Sequence, residues 1–351
     1  MTKEEVLKVL RDVRHPARGD RDIVDLGMVA AVDIEDSGVK VTLGFPKRRD
    51  PLTEYLVGAT RAALVRAGVA DPKVEAVVTE EAPAKKKGAE FNLECVREVR
   101  HIVGVASGKG GVGKSTVAVN LACALARLGY RVGLADADVY GPSVPLMTGT
   151  EGEQPLAEEV DGTTLMVPIE KYGVKWMSIG YFAERGQALI WRGPMASNAL
   201  KQMILQVEWG PLDFLLVDMP PGTGDIHISL LQDIPMEGAL LVTTPQEVAL
   251  ADVEKGANMF RNKSINRPIF GLVENMAWFT PAEHPDEKYY IFGEGGGERM
   301  AKSLGIELLG RIPLVQSIRE SGDSGEPAAL GTRPDAQAFL ELAGRLAEKL
   351  G

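Results

Sequence analysis

The sequence predicts an α/β protein: a large, mostly parallel sheet with helices on both faces, preceded by a small α+β domain. From about residue 95 onward, short runs of Val, Ile and Leu alternate with longer helical segments. That alternation is typical of parallel strands that are buried on both faces and joined by helical crossovers. The first 80 residues differ, because a hairpin pattern lies between two helical patterns there.

The small α+β domain is predicted over residues 1–80 and is followed by a linker over residues 81–94. The linker contains Pro83 and the three lysines Lys85, Lys86 and Lys87, which we interpret as a solvated tether. The elements of the small domain are predicted at residues 3–13 (helix), 29–34 and 39–43 (hairpin strands), 55–67 (helix) and 74–78 (strand).

The large domain is predicted over residues 95–351. A helix with one apolar face is predicted at 335–350, and that pattern favours packing on the core over membrane anchoring. The strands of the sheet are predicted at residues 102–106, 131–135, 174–179, 214–217, 239–242, 269–273 and 308–312.

Composition excludes several classes of protein. The 351 residues carry a formal charge of −10, which argues against nucleic acid as the main partner. No run approaches the roughly 18 apolar residues of a membrane span, and residues 1–10 do not resemble a secretory signal, so we expect a cytoplasmic protein without a membrane partner. The two cysteines, Cys95 and Cys123, exclude a disulfide framework or a four-thiolate metal site within one chain.

Polar or special residues follow almost every predicted strand of the large domain. In open α/β sheets, ligands bind at the carboxyl ends of the strands, so these positions predict where the functional site lies. They are Ser107, Asp136, Asp218, Thr243, Asn275 and Pro313.

A phosphate-binding loop follows the first strand of the sheet. Residues 108–115 satisfy the pattern G-x-x-x-x-G-K-[ST], and a predicted helix at 116–128 comes directly after it. Backbone N–H groups of such a loop cradle phosphates, Lys114 supplies a charge to the β- and γ-phosphates, and the Ser115 hydroxyl is a ligand for Mg²⁺. The sequence therefore predicts the sheet of a P-loop NTPase, with nucleotide contacts from Gly108, Lys109, Gly110, Gly111, Val112, Gly113, Lys114, Ser115 and Thr116.

Carboxylates follow two further strands. Asp136 and Asp138 come directly after one apolar run, and Asp218 closes another, as does the acid of a Walker B strand that holds a magnesium-bound water. Helix N-capping is the alternative role for these aspartates. The Pro- and Gly-rich residues 220–225 that follow Asp218 predict a loop able to sense the γ-phosphate.

Residues 109–115 resemble the deviant Walker A loop of the MinD/ArsA/ParA-type ATPases. The resemblance implies a homodimer in which Lys109 crosses to the ATP of the partner subunit; an ordinary solvated lysine is the alternative. It also implies that Asp138 orients the attacking water, that Asp136 supports the metal shell, and that Asn275 and Pro313 contact adenine. For Asn275 and Pro313, structural turns remain the alternative.

Further motifs narrow the resemblance to the Mrp/ApbC subgroup. They are residues 136–143, 191–195, 218–225, 274–276 and 291–293. Residues 1–80 also resemble the small domain at the head of many bacterial Mrp proteins, which is related to metal–sulfur cluster assembly factors. The resemblance implies a dimeric, Mg²⁺-dependent ATPase that carries iron–sulfur clusters from cluster scaffold proteins to apoprotein clients.

The cluster-binding motif of that family is missing from this sequence. Members that hold a 4Fe–4S cluster usually place Cys-x-x-Cys just after the Glu-Asn-Met segment, where this chain has Pro281 and His284. Residues 45–51 likewise lack a cysteine that relatives of the small domain often carry. We therefore expect no stable 4Fe–4S cluster at the usual place, since such clusters require thiolates.

Two other ligand sets are possible from the sequence. Cys95 residues from both subunits of a dimer offer two thiolates, whereas Cys123 is expected to be buried within a helix. His284 with Glu283 and Asp286 offers a metal site, but a solvated polar loop is the alternative.

Two functions follow from these observations. The first is a dimeric ATPase that delivers iron–sulfur clusters, and the second is a nucleotide-gated switch or scaffold in metal–sulfur assembly that carries no cluster itself. A ParA-like positioning ATPase is disfavoured, because the charge of −10 is unsuited to DNA.

Overall fold

The computed structural model describes two compact units, Met1–Glu90 and Phe91–Gly351. Most of the predicted linker lies outside the described residues, and so do Trp191 and Arg192 of the predicted motif at 191–195. The described residues are 2–15, 21–35, 38–45, 52–78, 93–139, 141–160, 163–182, 193–281, 283–284 and 286–351.

Over its described residues, the first unit is a three-stranded sheet accompanied by two helices. Its sheet has the order β1-β2-β3, with an antiparallel β1–β2 pair and a parallel β2–β3 pair. Thr2 and Glu5 form a capping box that satisfies free N–H groups at the start of the first helix. The elements are α1 (Lys3–Leu10), β1 (Val29–Glu35), β2 (Gly38–Phe45), α2 (Thr53–Arg66) and β3 (Lys73–Val78).

A larger sheet organises the second unit. Its strands are β4 (Val99–Ala106), β5 (Val132–Asp136), β8 (Ile169–Lys171), β9 (Val174–Ser178), β10 (Leu212–Asp218), β11 (Gly238–Thr243), β12 (Ile269–Glu274) and β13 (Leu308–Arg311). Within the described chain the order is β13-β12-β11-β4-β10-β5-β9-β8. All neighbouring pairs are parallel except β8–β9, which is antiparallel. A separate hairpin pairs β6 (Ala157–Val160) with β7 (Thr163–Met166).

Helices connect the parallel strands and cover the sheet. Among them α3 packs against α10, α5 against α6, and α7 against α8. The helices are α3 (Lys114–Arg127), α4 (Val144–Thr148), α5 (Gly193–Leu205), α6 (Asp225–Asp233), α7 (Glu247–Phe260), α8 (Gly296–Leu304), α9 (Gln316–Ser324) and α10 (Pro334–Leu350). None of the helices in the described residues is long and apolar enough to cross a membrane.

This architecture confirms the predicted fold class. Each predicted strand of the large domain is present, with ends that differ by a few residues at most. The β6–β7 hairpin and β8 were not predicted, because strands of three or four residues with mixed composition carry no clear period of two. The central strands are buried along nearly their whole length, which explains their continuous apolar runs.

The C-terminal helix provides a test of the core. Phe339 of α10 is fully buried, so replacement by Ala leaves a cavity. We expect Phe339→Ala to lower the free energy of unfolding by about 3–5 kcal/mol, measured by denaturant titration. Phe182→Ala is the matched control, because Phe182 is 49% exposed; its expected change is within about 0.5 kcal/mol. A loss in Phe339→Ala as small as that expected for the control would contradict the contribution of Phe339 to the stability of the core.

Candidate functional site

The predicted phosphate-binding loop connects β4 to α3 at the carboxyl edge of the sheet. Gly111 and Gly113 adopt the left-handed region, with φ of 81° and 78°, where glycine is favoured. Gly108 lies against helix α7, and a Cβ there would approach the Asp252 carbonyl carbon to 2.2 Å. A Cβ on Gly113 would similarly meet the Asn275 side-chain nitrogen at 2.2 Å. The glycines therefore serve both the turn and the close packing around it.

Lys114 lies at the centre of a polar cluster. Its side chain is 5% exposed, and its Nζ donates to Asp218 Oδ1 at 2.5 Å and to Ser115 Oγ at 3.2 Å. Asp138 Oδ2 lies 3.9 Å from the same nitrogen. The structure thus brings together the predicted phosphate-binding lysine, the predicted magnesium ligands and the predicted water-orienting acid.

Asp136 and Asp218 occupy neighbouring ends of paired strands. In the β5–β10 register Asp136 is the partner of Asp218, and both side chains are fully buried. Burial, with the nearby Asp218 charge, raises the pKa of Asp136 to about 7. Burial also raises the pKa of Asp218, while the Lys114 charge opposes that rise. Both carboxylates are therefore destabilised as anions unless positive charge is supplied, which a cation at this edge would do.

Ser178 is a member of the site that sequence reasoning missed. Its Oγ donates to Asp136 Oδ2 at 2.9 Å and accepts from the Gly180 N–H at 3.0 Å. Asp136 also accepts from the N–H groups of Asp138 and Val144. Ser178 ends β9, the next strand of the sheet, but the predicted strand ran to residue 179 and so hid its position at the carboxyl edge.

The donor set suits a magnesium ion. Ser115 and the two buried aspartates offer hydroxyl and carboxylate oxygens, and Asp218 Oδ2 has no hydrogen-bond partner among the described residues. No group of three or more His, Cys, Asp and Glu side chains arranged to hold a metal occurs in the described part of the chain. That finding is compatible with magnesium, which takes one or two carboxylates and completes its shell with water and phosphate oxygens.

The loop after Asp218 is attached to the end of β4, just before the phosphate-binding loop, and to α6. The Met219 N–H donates to the Val105 carbonyl, and the Gly222 N–H donates to the Ser107 carbonyl, each at 3.0 Å. The ring of His227, in the first turn of α6, lies 2.7 Å from the Pro220 carbonyl oxygen through Nε2. His227 is a second residue that the sequence analysis missed, because nothing in its spacing pointed to the loop.

Asn275 contacts the phosphate-binding loop directly. It is buried, and its side-chain N–H donates to the Val112 carbonyl at 2.8 Å, while its backbone N–H donates to Thr243 at 2.7 Å. Pro313 is half-buried and follows Ile312, whose carbonyl accepts from the Ala277 N–H at 3.0 Å. The structure therefore places Asn275 at the site and Pro313 beside the segment that follows it. The adenine contacts of both remain predictions.

Lys109 is half-buried in the phosphate-binding loop, and its carbonyl accepts from Ser107 Oγ at 2.9 Å. Within the described residues no ion pair involves its ammonium group. Its predicted contact lies in a partner subunit and remains a prediction. Thr116 follows Ser115 in the first turn of α3 and is half-buried.

The remaining candidate ligands for a metal or a cluster form no group of three or more among the described residues. His284 is exposed and lies 3.6 Å from Glu287 through Nδ1, and Pro281 is half-buried. Cys95 is half-buried in a short 3₁₀ helix, where burial raises the pKa of its thiol. Cys123 is fully buried in α3, as expected, and burial raises its pKa to about 12. Residues 46–51, where the small domain lacks a cysteine, lie outside the described residues.

Comparison with family models identifies both units. Residues 98–347 match the model described as NUBPL iron-transfer P-loop NTPase, and residues 3–78 match that of an iron-sulfur cluster assembly protein. An iron-sulfur cluster carrier protein from Synechocystis is 42% identical over 100% of this chain and 98% of its own length.

Two solved structures are similar to this chain. A nucleotide-binding protein from Archaeoglobus fulgidus, solved in complex with ADP, is 34% identical, with a TM-score of 0.60 over 72% of this chain and 96% of its own. The cell division ATPase MinD from Pyrococcus furiosus, at 24% identity, has a TM-score of 0.52 over 71% of this chain and 99% of its own, and so shares the fold. The chain therefore belongs to the family of NUBPL iron-transfer P-loop NTPases.

Proposed function

We propose that the chain is a magnesium-dependent ATPase that acts as a homodimer in the delivery of iron–sulfur clusters to apoproteins. The observation that carries the ATPase proposal is the buried cluster in which Lys114 contacts Asp218, Ser115 and, at a longer distance, Asp138. The relatives named as iron-sulfur cluster carrier proteins support the delivery proposal.

In the proposed reaction the protein positions ATP and water. The backbone N–H groups of residues 108–115 and the Lys114 ammonium bind the phosphates, and the ammonium exchanges its bond to Asp218 for phosphate oxygens. Mg²⁺, held by Ser115 and Asp218 with Asp136 behind them, would neutralise charge on the phosphates. Asp138 orients the attacking water, and Lys109 of the partner subunit stabilises charge that develops during phosphoryl transfer.

Iron–sulfur clusters are the cargo in this proposal, and the loop at Pro281 and His284 does not suit them. Proline has no ligand atom, and a histidine from each subunit would supply nitrogen in place of sulfur. We therefore propose that any cargo is held elsewhere. The N-terminal unit matches iron-sulfur cluster assembly proteins but contains neither cysteine of the chain, so Cys95 from both subunits is the candidate source of thiolates. A cluster scaffold protein would supply this cargo.

The absence of thiolates at positions 281 and 284 also favours a second candidate function. An ATPase whose loop after Asn275 has no thiolate is suited to act as a nucleotide-gated switch or scaffold in metal–sulfur assembly. In this version the protein changes its partners with the nucleotide state and carries no cluster. The cargo content of the purified dimer distinguishes the two functions.

The first prediction concerns Lys114. We expect Lys114→Ala to weaken ATP binding by about 100-fold or more, because the loop loses its buried cation. Isothermal titration with ATP and Mg²⁺ measures the effect, and thermal unfolding checks the fold. Lys255→Ala is the matched control, since that lysine is 72% exposed on α7. Near-native affinity in Lys114→Ala would refute the nucleotide site.

The second prediction tests Asp138 and Lys109 together. We expect Asp138→Asn and Lys109→Ala each to bind ATP but to hydrolyse it about 100-fold more slowly or worse. If Lys109 acts across the dimer, a heterodimer of the two variants contains one intact site, with Asp138 from one subunit and Lys109 from the other. Its turnover should approach half that of the wild type.

Differently tagged subunits allow the heterodimer to be purified before the assay. The two homodimeric variants serve as controls. A confirmed heterodimer as inactive as both parents would show that Lys109 acts in its own subunit, and a chain that remains monomeric with ATP would refute the dimer.

The third prediction concerns cargo. After anaerobic reconstitution with iron and sulfide, we expect less than about one 4Fe–4S cluster per dimer, because the loop after Asn275 supplies no thiolates. Iron, acid-labile sulfide and visible absorbance measure the content. Replacement of Pro281 and His284 together by Cys should raise it, whereas Cys123→Ser should leave it unchanged. A stoichiometric cluster in the wild type that disappears in Cys95→Ser would contradict this expectation and identify Cys95 as a ligand.

A further inference from the structure

His227 is a buried histidine beside the proposed ATPase site. It lies in the first turn of α6, is 2% exposed, and its Nε2 lies 2.7 Å from the Pro220 carbonyl oxygen. Its Nδ1 is buried and has no hydrogen-bond partner among the described residues. Burial lowers the pKa of His227, so the ring is neutral near pH 7 and donates its one N–H to Pro220.

The residue that is hydrogen-bonded to this ring, Pro220, belongs to the loop after Asp218. Two backbone hydrogen bonds hold this loop: the Met219 N–H donates to the Val105 carbonyl, and the Gly222 N–H donates to the Ser107 carbonyl. Both acceptors lie on β4 or directly after it, next to the phosphate-binding loop. A Cβ on Gly110 would lie 4.0 Å from the Pro221 Cβ, so the two loops are in close proximity. The Pro220 carbonyl, between these attachments, is held from the other side by His227.

Two charges that influence the pKa of His227 belong to the same site. The Lys114 charge lowers the pKa of His227, and the Asp138 charge raises it. The Gly224 carbonyl, which accepts the His227 backbone N–H at 3.0 Å, also favours a proton on the ring. The imidazole therefore lies against the loop before α6, where the charges of Lys114 and Asp138 influence it.

We propose that His227 is a positioning residue for hydrolysis: its imidazole holds the Pro220 carbonyl and thereby fixes the loop of residues 219–224 beside the phosphate-binding loop. This inference rests on the proposed ATPase function. The side chain does not touch the nucleotide in this role. It acts through the loop, so it affects the rate of the chemical step more than the affinity for ATP.

Removal of the ring donor leaves the Pro220 carbonyl buried without its partner. The loop then exchanges among positions, and only a fraction of molecules presents it correctly. Since an orphaned buried acceptor disfavours the ordered loop by about one power of ten, we expect kcat to fall about tenfold. The Kd for ATP should change by less than about twofold, because the binding groups of residues 108–115 keep their own contacts.

A set of substitutions at position 227 tests the donor. His227→Leu removes it at similar volume, His227→Gln retains an N–H that reaches the same carbonyl, and His227→Asn has an amide that is too short. His101→Leu is the matched control. His101 also has one bonded and one buried, unpartnered ring nitrogen, but it lies about 16 Å before the end of β4 at a rise of about 3.3 Å per residue.

Two measurements on the full-length protein decide the proposal. The first is the kcat for ATP hydrolysis with the Kd for ATP, where we expect losses in the Leu and Asn variants, recovery in the Gln variant, and no loss in His101→Leu. The second is hydrogen–deuterium exchange of residues 219–226 without nucleotide, where we expect faster exchange in the Leu and Asn variants alone. If His227→Leu does not fold, the comparison of Gln with Asn decides.

The outcomes separate this inference from the proposed function. If the wild type hydrolyses ATP, and the Leu and Asn variants have the kcat and the exchange rate of the wild type, the role of His227 is overturned and the ATPase proposal is left intact. A Gln variant as slow as the Leu variant, or an equal loss of ATP affinity, would also overturn it. If the wild type hydrolyses no ATP, the ATPase proposal fails, and unchanged exchange would then overturn the loop attachment as well.

Discussion

The contact between Lys114 and Asp218 is the interaction on which the rest of the site depends. Both side chains are buried, and their charged atoms are 2.5 Å apart. Removal of one member of such a pair typically costs about 3–5 kcal/mol, because the other charge stays buried without compensation. The ammonium and the carboxylate can therefore stay charged and buried at the sheet edge only while both are present. Ligands that replace either partner must supply the same charge.

The parallel sheet explains how residues far apart in sequence meet around this pair. In the register of the sheet, Asp218 is beside Val105 on one side and Asp136 on the other, and Asp136 is beside Ser178. The strands β4, β10, β5 and β9 all end at this edge, so the phosphate-binding loop, the two acids and the serine lie in one row. Their order in space follows from strand order and does not follow from their order in the chain.

The predictions that succeeded relied on local patterns, and those that failed required knowledge of neighbours. The loop at residues 108–115 and the strand before Asp218 are recognisable because their spacing and flanking elements are local. Ser178 and His227 escaped because each acts on a partner from another element, and neither has a distinctive sequence context. Likewise, only the structure shows that Gly108 must be small because α7 passes against it. The C-terminal helix was predictable because its apolar face has a simple period of 3.6.

The structure also separates the nucleotide site from the question of cargo. Asn275 contacts the phosphate-binding loop, and the residue before it, Glu274, accepts the Gly297 N–H at 2.6 Å and pairs with Arg311 at 3.2 Å. The start of the loop that carries Pro281 and His284 is thus fixed both to the nucleotide site and to α8 and β13. Because these attachments do not involve either position, a movement of the phosphate-binding loop would reach this loop whether or not it carried thiolates. This chain therefore has no thiolate at Pro281 or His284 but keeps the contact between Asn275 and the phosphate-binding loop, and that is why the ATPase and the cargo must be tested separately.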